Sequence, residues 1–234
     1  MLGFYRRNEN YLMGVGMITV LLFLFIFPLL FFPFVERLFG LSKINGTLLF
    51  ISRLLFWLGL VLLYLYCAKV EKQNILIWQD RPYAFSIYLA SIIVIFAVLF
   101  VGLGLLNILY SFTHLSKTSE KLIEMVKIFR QNKPLLVFSA LTAGITEEII
   151  FRGYLQPRFQ IIFNSPFLGI LVSSVLFGLL HYGYGTAINV IGPFFIGLVF
   201  ATYYWKYRNI KVLLICHFLW DLLALFSLLR RYHA

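Results

Sequence analysis

Charge is what this chain has least of. Of its 234 residues, 12% are charged and 62% are hydrophobic, whereas about 25% of an ordinary soluble domain is charged. That scarcity excludes a soluble globular chain and points to an integral membrane protein. Acidic residues are scarcer still: 9 Asp and Glu stand against 20 Lys and Arg, a formal net charge of +11. The basic residues fall mostly between the apolar runs, where anionic lipid headgroups would meet them. A nucleic-acid footprint needs a basic stripe on a soluble face, and no soluble stretch of useful size exists, so no nucleic-acid partner is expected. Cysteine is nearly absent. Cys67 and Cys216 each lie inside an apolar run, which excludes a disulfide framework and a CxxC-type metal site. The chain also lacks a Gly-x-Ser-x-Gly elbow and a His-Glu-x-x-His zinc signature. No internal repeat or flexible linker divides it.

What is present is length without polarity. Seven apolar runs, at about 13–34, 48–68, 87–110, 135–156, 167–182, 188–205 and 212–229, are long enough to span a hydrocarbon core of about 30 Å. The first follows Arg6 and Arg7 but ends in Pro33-Phe34-Val35-Glu36-Arg37. That is no small-residue cleavage site, so the run is expected to stay as a transmembrane helix. Pro28, Pro33 and Pro193 are expected to kink their helices. Between the third and fourth runs, Leu122, Ile123, Val126 and Phe129 recur at helical spacing among Lys121, Glu124, Lys127 and Arg130. The stretch 117–133 therefore reads as an amphipathic surface helix anchored in lipid, its basic face toward anionic headgroups. The expected fold is all-α: a polytopic bundle of about seven spans plus that surface helix. It is one structural domain, with N-terminal helices over 1–134 and a functional core over 135–234. Basic residues divide almost evenly between the two sides, and only the five preceding the fourth run lean toward an outside N-terminus.

Inside this apolar chain the stretch Thr146-Glu147-Glu148-Ile149-Ile150-Phe151-Arg152 carries three formal charges. An ionisable residue at bilayer centre costs roughly 2.5 to 3.5 kcal/mol and marks a functional site by default. Glu148 and Arg152 are four residues apart and share a helix face, so they can pair, while Glu147 is rotated by about 100° and left free. Two further four-residue spacings, Phe177 with His181 and His217 with Asp221, lie in the fifth and seventh runs. At about 1.5 Å per residue, Glu147 and His217 reach similar depths, about 18 and 21 Å, with His181 shallower, at about 9 Å. Three helices can thus bring Glu147, Glu148, Arg152, His181, His217 and Asp221 to one cavity. A free glutamate with a histidine can hold and deprotonate water, and a histidine–aspartate pair can steady the oxyanion formed when that water attacks a carbonyl. Glu147, His181 and His217 also have the donor set for Zn2+ or another divalent metal with one position left for water.

These three motifs, in this order and inside spans, resemble those of the CPBP family of intramembrane proteases (CAAX protease and bacteriocin-processing, or Abi). The resemblance covers about the last hundred residues, and the stretch around Phe195 and Gly197 looks like the family's less strict motif. It implies an endopeptidase, of metalloprotease type or with a metal-free glutamate mechanism, in which Glu147 and His181 activate water, Glu148 and Arg152 support them, and His217 with residue 221 stabilises the oxyanion. Asp221 stands where the family often has asparagine; it donates a hydrogen bond only when protonated and otherwise orients His217. The expected substrate is a membrane-embedded or lipid-anchored peptide or protein, such as a prenylated CAAX peptide, a bacteriocin leader or a sorting-signal tail. The expected location is a bacterial plasma membrane. Two readings of other classes compete: a proton-coupled transporter using the same charges as a relay, and a non-catalytic assembly or immunity factor.

Overall fold

The computed structural model describes residues 2–39, 45–113, 115 and 119–232. His114, His233 and Lys117, where the surface helix was expected to begin, lie outside the described residues. All described elements are helical, and among the described residues seven helices are long and apolar enough to cross a membrane. The chain is an all-α polytopic membrane protein, and each span overlaps one of the seven apolar runs.

The helices form two compact units, Met1–Ile77 and Trp78–Ala234. The first holds α1 (Asn10–Val35) and α2 (Gly46–Glu71). Within it Tyr66 donates its hydroxyl proton to the Leu12 carbonyl at 2.7 Å, and the Phe23 ring occupies the space beside Gly59, where a Cβ would come within 2.6 Å of it. Helix α1 widens to π pitch over Leu22–Ile26, next to Pro28, which has no amide proton for a regular bond.

The second unit holds α3 (Phe85–Ser111), α4 (Glu120–Gln131), α5 (Lys133–Phe163), α6 (Pro166–Leu180), α7 (Ile188–Tyr207) and α8 (Ile210–Arg231). Four of these start on a side-chain cap that satisfies an orphan amide. Ser119, Asn132, Ser165 and Asn209 accept from the amides of Leu122, Leu135, Leu168 and Val212 at 3.0 to 3.3 Å. Pro134 and Pro166 sit in first turns, where a missing amide proton does least harm. Helix α5 packs along α8, α6 along α7, and α3 against α7 and α8. Helices α3 and α4 thus pack with the later helices within this unit.

Helix α4 corrects one expectation. Its apolar residues Met125, Val126 and Phe129 are buried, because the helix packs on α5, α8 and the turn after α6. Its hydrophobic face is thus spent on protein, where a lipid-embedded anchor was expected. Arg130 strengthens the contact by donating to the carbonyls of Leu229, at 3.3 Å, and Tyr232.

Candidate active site

The site is built where α5 and α8 touch backbone to backbone. Gly144 makes the approach possible, because a Cβ there would lie 2.8 Å from the Phe218 amide nitrogen and 3.0 Å from its Cα. One turn farther along α5 comes Glu148, and one residue back along α8 comes His217. Immediately after Glu148 the helix widens to π pitch over Ile149–Leu155, and the Phe151 carbonyl accepts a hydrogen bond from the Ser173 hydroxyl at 3.1 Å. Such π segments occur disproportionately at functional sites.

Glu148 is the hub. Its Oε1 accepts from Arg152 Nη1 at 2.8 Å and lies 2.7 Å from His217 Nδ1. A carboxylate only accepts, so His217 carries its proton on Nδ1 and turns Nε2 into the site. That Nε2 lies 3.9 Å from Glu147 Oε2 and 3.7 Å from Asp221 Oδ1. Asp221, the expected partner of His217, thus stands a full ångström farther off than Glu148, which takes the tight hydrogen bond. The Arg152 guanidinium also reaches the Gly197 carbonyl at 3.4 Å and stacks with its Cζ 4.3 Å from the centre of the Phe177 ring and 5.5 Å from that of Phe200. Desolvating a cation between aromatic faces recovers part of its lost hydration.

His181 caps the end of α6, its Nδ1 2.9 Å from the Phe177 carbonyl. A carbonyl also only accepts, so here too the proton sits on Nδ1 and Nε2 is left for other work. Its ring lies within electrostatic reach of Glu147, His217 and Arg152. The Phe177 ring contacts both imidazoles, its centre 5.2 Å from that of His181 and 5.8 Å from that of His217. Close approach of α7 at Gly178, where a Cβ would lie 2.9 Å from the Val190 carbonyl, holds this corner in place.

Exposure rises across the group. The side chains of Glu148 and His217 are 0% and 5% exposed, that of Glu147 12% and that of Asp221 29%. Glu148, Arg152 and His217 thus form a dry clamp, with Glu147 and Asp221 on its wetter flank. Glu147 Oε2 is buried with no hydrogen-bond partner. Among the described residues, however, no three His, Cys, Asp or Glu side chains converge closely enough to hold a metal ion. Sequence reasoning missed Phe200, Ser173 and the π segment, none of which carries a charge or a motif that would draw attention.

Residues 130–223 match a family profile described as Type II CAAX prenyl endopeptidase Rce1-like. This segment is Rce1-like. All six candidate residues lie within it, in keeping with the resemblance drawn from the three motifs. The chain is also 28% identical over 178 residues to the UPF0177 protein YvdC of Lactococcus lactis subsp. lactis, an alignment covering 74% of this chain and 63% of YvdC. The match thus spans less than two thirds of that relative's length. No solved structure matches the chain. The chain is an integral membrane protein by its seven long apolar helices, and its 130–223 segment is similar to a family described as prenyl endopeptidases.

Proposed function

We propose that the protein is an intramembrane endopeptidase of a bacterial plasma membrane, hydrolysing a peptide bond of a membrane-embedded or lipid-anchored substrate with Glu147 as general base. One observation carries the reading: of two adjacent glutamates, Glu148 is bonded by Arg152 and His217, while Glu147 Oε2 faces His217 Nε2 at 3.9 Å without a hydrogen bond. The committed carboxylate orients the imidazole; the uncommitted one has a free lone pair for a water proton.

In this mechanism Glu147, assisted by His181 Nε2, takes a proton from water as its oxygen bonds to the scissile carbonyl carbon. The carbonyl oxygen becomes an oxyanion and accepts a hydrogen bond from His217 Nε2, the ring acting as an imidazolium that keeps Nδ1–H on Glu148 and carries a second proton on Nε2 beside Asp221. The C–N bond then breaks as the proton held by Glu147 passes to the departing amine. A divalent ion on Glu147, His181 and His217 would add Lewis acidity, but those side chains do not converge as ligands. Anionic lipid is the proposed partner of the exposed Lys121 and Lys127 of α4.

The test compares peptide termini in membrane and secreted fractions of the native host carrying wild-type protein or Glu147→Ala at equal expression. A terminus found only with the wild type supports proteolysis and names the substrate; identical termini would overturn the proposal.

A further inference from the structure

Glu148, Arg152, Gln156 and Gln160 recur every four residues along α5. The first three are fully buried, while Gln160 is partly exposed near the end of the helix. Opposite them α7 offers carbonyls at the same spacing: Arg152 Nη2 donates to Gly197 at 3.4 Å and Gln156 Nε2 to Ala201 at 2.8 Å. These contacts use only part of the row's capacity. Glu148 Oε2, Arg152 Nε, Gln156 Oε1 and Gln160 Nε2 are each buried with no hydrogen-bond partner. The Tyr204 hydroxyl, one turn beyond Ala201 on α7, is in the same condition.

Leaving one buried polar atom unmet costs about 1–3 kcal/mol, and apolar side chains at 156 and 160 would avoid that cost altogether. Buried water is the usual partner of such atoms, typically making about three hydrogen bonds. Along α5 the unmet atoms alternate between acceptor and donor, from carboxylate oxygen to guanidinium nitrogen to amide oxygen to amide nitrogen. A water bridging any two neighbours can donate to one and accept from the other. Twelve residues separate Glu148 from Gln160, at most about 18 Å at α-helical rise and less over the π stretch, so the row runs from the site toward the end of α5.

We propose that this row binds a file of water molecules that supplies the site from that end. Its role in hydrolysis rests on the peptidase reading above; its existence does not. The route is separate from the flank where Glu147 and Asp221 are exposed, so a substrate seated there does not block it.

The test is hydroxyl-radical footprinting of the full chain in lipid nanodiscs, using a brief X-ray pulse on bulk water and reading oxidation of the buried Tyr204 by mass spectrometry. Tyr204 is expected to be oxidised in the wild type and in Glu147→Ala, and to lose that labelling in Gln156→Leu and Gln160→Leu. Gln160→Leu alters the partly exposed mouth and keeps the test decisive if Gln156→Leu folds poorly. In cleavage assays kcat should fall about ten-fold in both variants with KM unchanged, since water supply affects the chemical step and not substrate binding. An unlabelled Tyr204 in the wild type, or labelling unchanged in both leucine variants, would overturn the proposal. Labelling as expected in a protein that cleaves nothing would uphold the water file and refute the peptidase reading alone.

Discussion

His217 Nδ1 and Glu148 Oε1, 69 residues apart in sequence, meet at 2.7 Å, and the same oxygen holds Arg152 at 2.8 Å. One carboxylate therefore fixes the charge balance of α5 and the ring orientation of α8 together. Removing either member of the Glu148–Arg152 pair leaves the other charge buried and unmet, at a cost of about 3–5 kcal/mol. Glu148→Ala and Arg152→Ala should each lower the melting temperature and abolish cleavage. The double variant Glu148→Leu with Arg152→Met should regain most of the stability while remaining inactive, because His217 has lost its orienting acceptor. Thermal unfolding in detergent read beside peptide cleavage separates the two effects.

Gly144→Ala tests the backbone contact beneath that bond. The added methyl meets the Phe218 backbone at 2.8 Å, which side-chain movement cannot relieve, so α8 must shift away from α5. Overpacking of this kind costs about 1–3 kcal/mol. The expected result is a fold that survives with activity reduced at least about ten-fold, an amount that about 1.4 kcal/mol of lost transition-state stabilisation accounts for. Wild-type activity in this variant would mean that the α5–α8 spacing does not position His217.

The seven spans were legible because runs of about twenty apolar residues have few other uses, and Glu147, Glu148 and Arg152 were legible because charge in such a run is costly. The i, i+4 rule identified the Glu148–Arg152 pair correctly. The same rule placed His217 with Asp221, and there a long-range partner won: Glu148 comes closer than the residue one turn along the same helix. Local spacing carries no information about a helix 69 residues away. The amphipathic stretch before α5 was likewise visible as a helix, but periodicity shows that a face is apolar and not whether lipid or protein covers it. The π segment was invisible, since Ile149–Leu155 carries no composition that separates π from α pitch.

Ser119 ties α4 to the turn that follows His181. Its hydroxyl accepts from Leu122 N at 3.2 Å and donates to the Tyr184 carbonyl at 2.7 Å, and the Tyr184 ring lies 5.9 Å from that of His181. Three substitutions separate the two bonds. Ser119→Thr keeps both, Ser119→Asp keeps the helix cap but has no proton for the carbonyl, and Ser119→Ala loses both. Hydrogen exchange over 182–186 should therefore quicken in the Asp and Ala variants and stay unchanged in the Thr variant; equal exchange in all three would refute the tie.

Metal dependence is tested by removal. Because Glu147, His181 and His217 do not converge as ligands, activity should survive dialysis against a strong chelator, and added Zn2+ should not raise it. Loss on chelation with recovery on adding Zn2+ would show that the three side chains close around an ion and that the water is metal-activated.

The central claim is the division of labour between neighbouring glutamates, and Glu147→Gln in a purified, lipid-reconstituted protein tests it most directly. The substitution preserves size and leaves the Glu148 clamp intact while removing the basic lone pair. The account predicts an unchanged melting temperature with cleavage of the substrate abolished, and no proton flux in wild-type liposomes. Cleavage at the wild-type rate in Glu147→Gln would contradict the account, as would a wild-type proton flux that vanishes in the variant without any proteolysis in either.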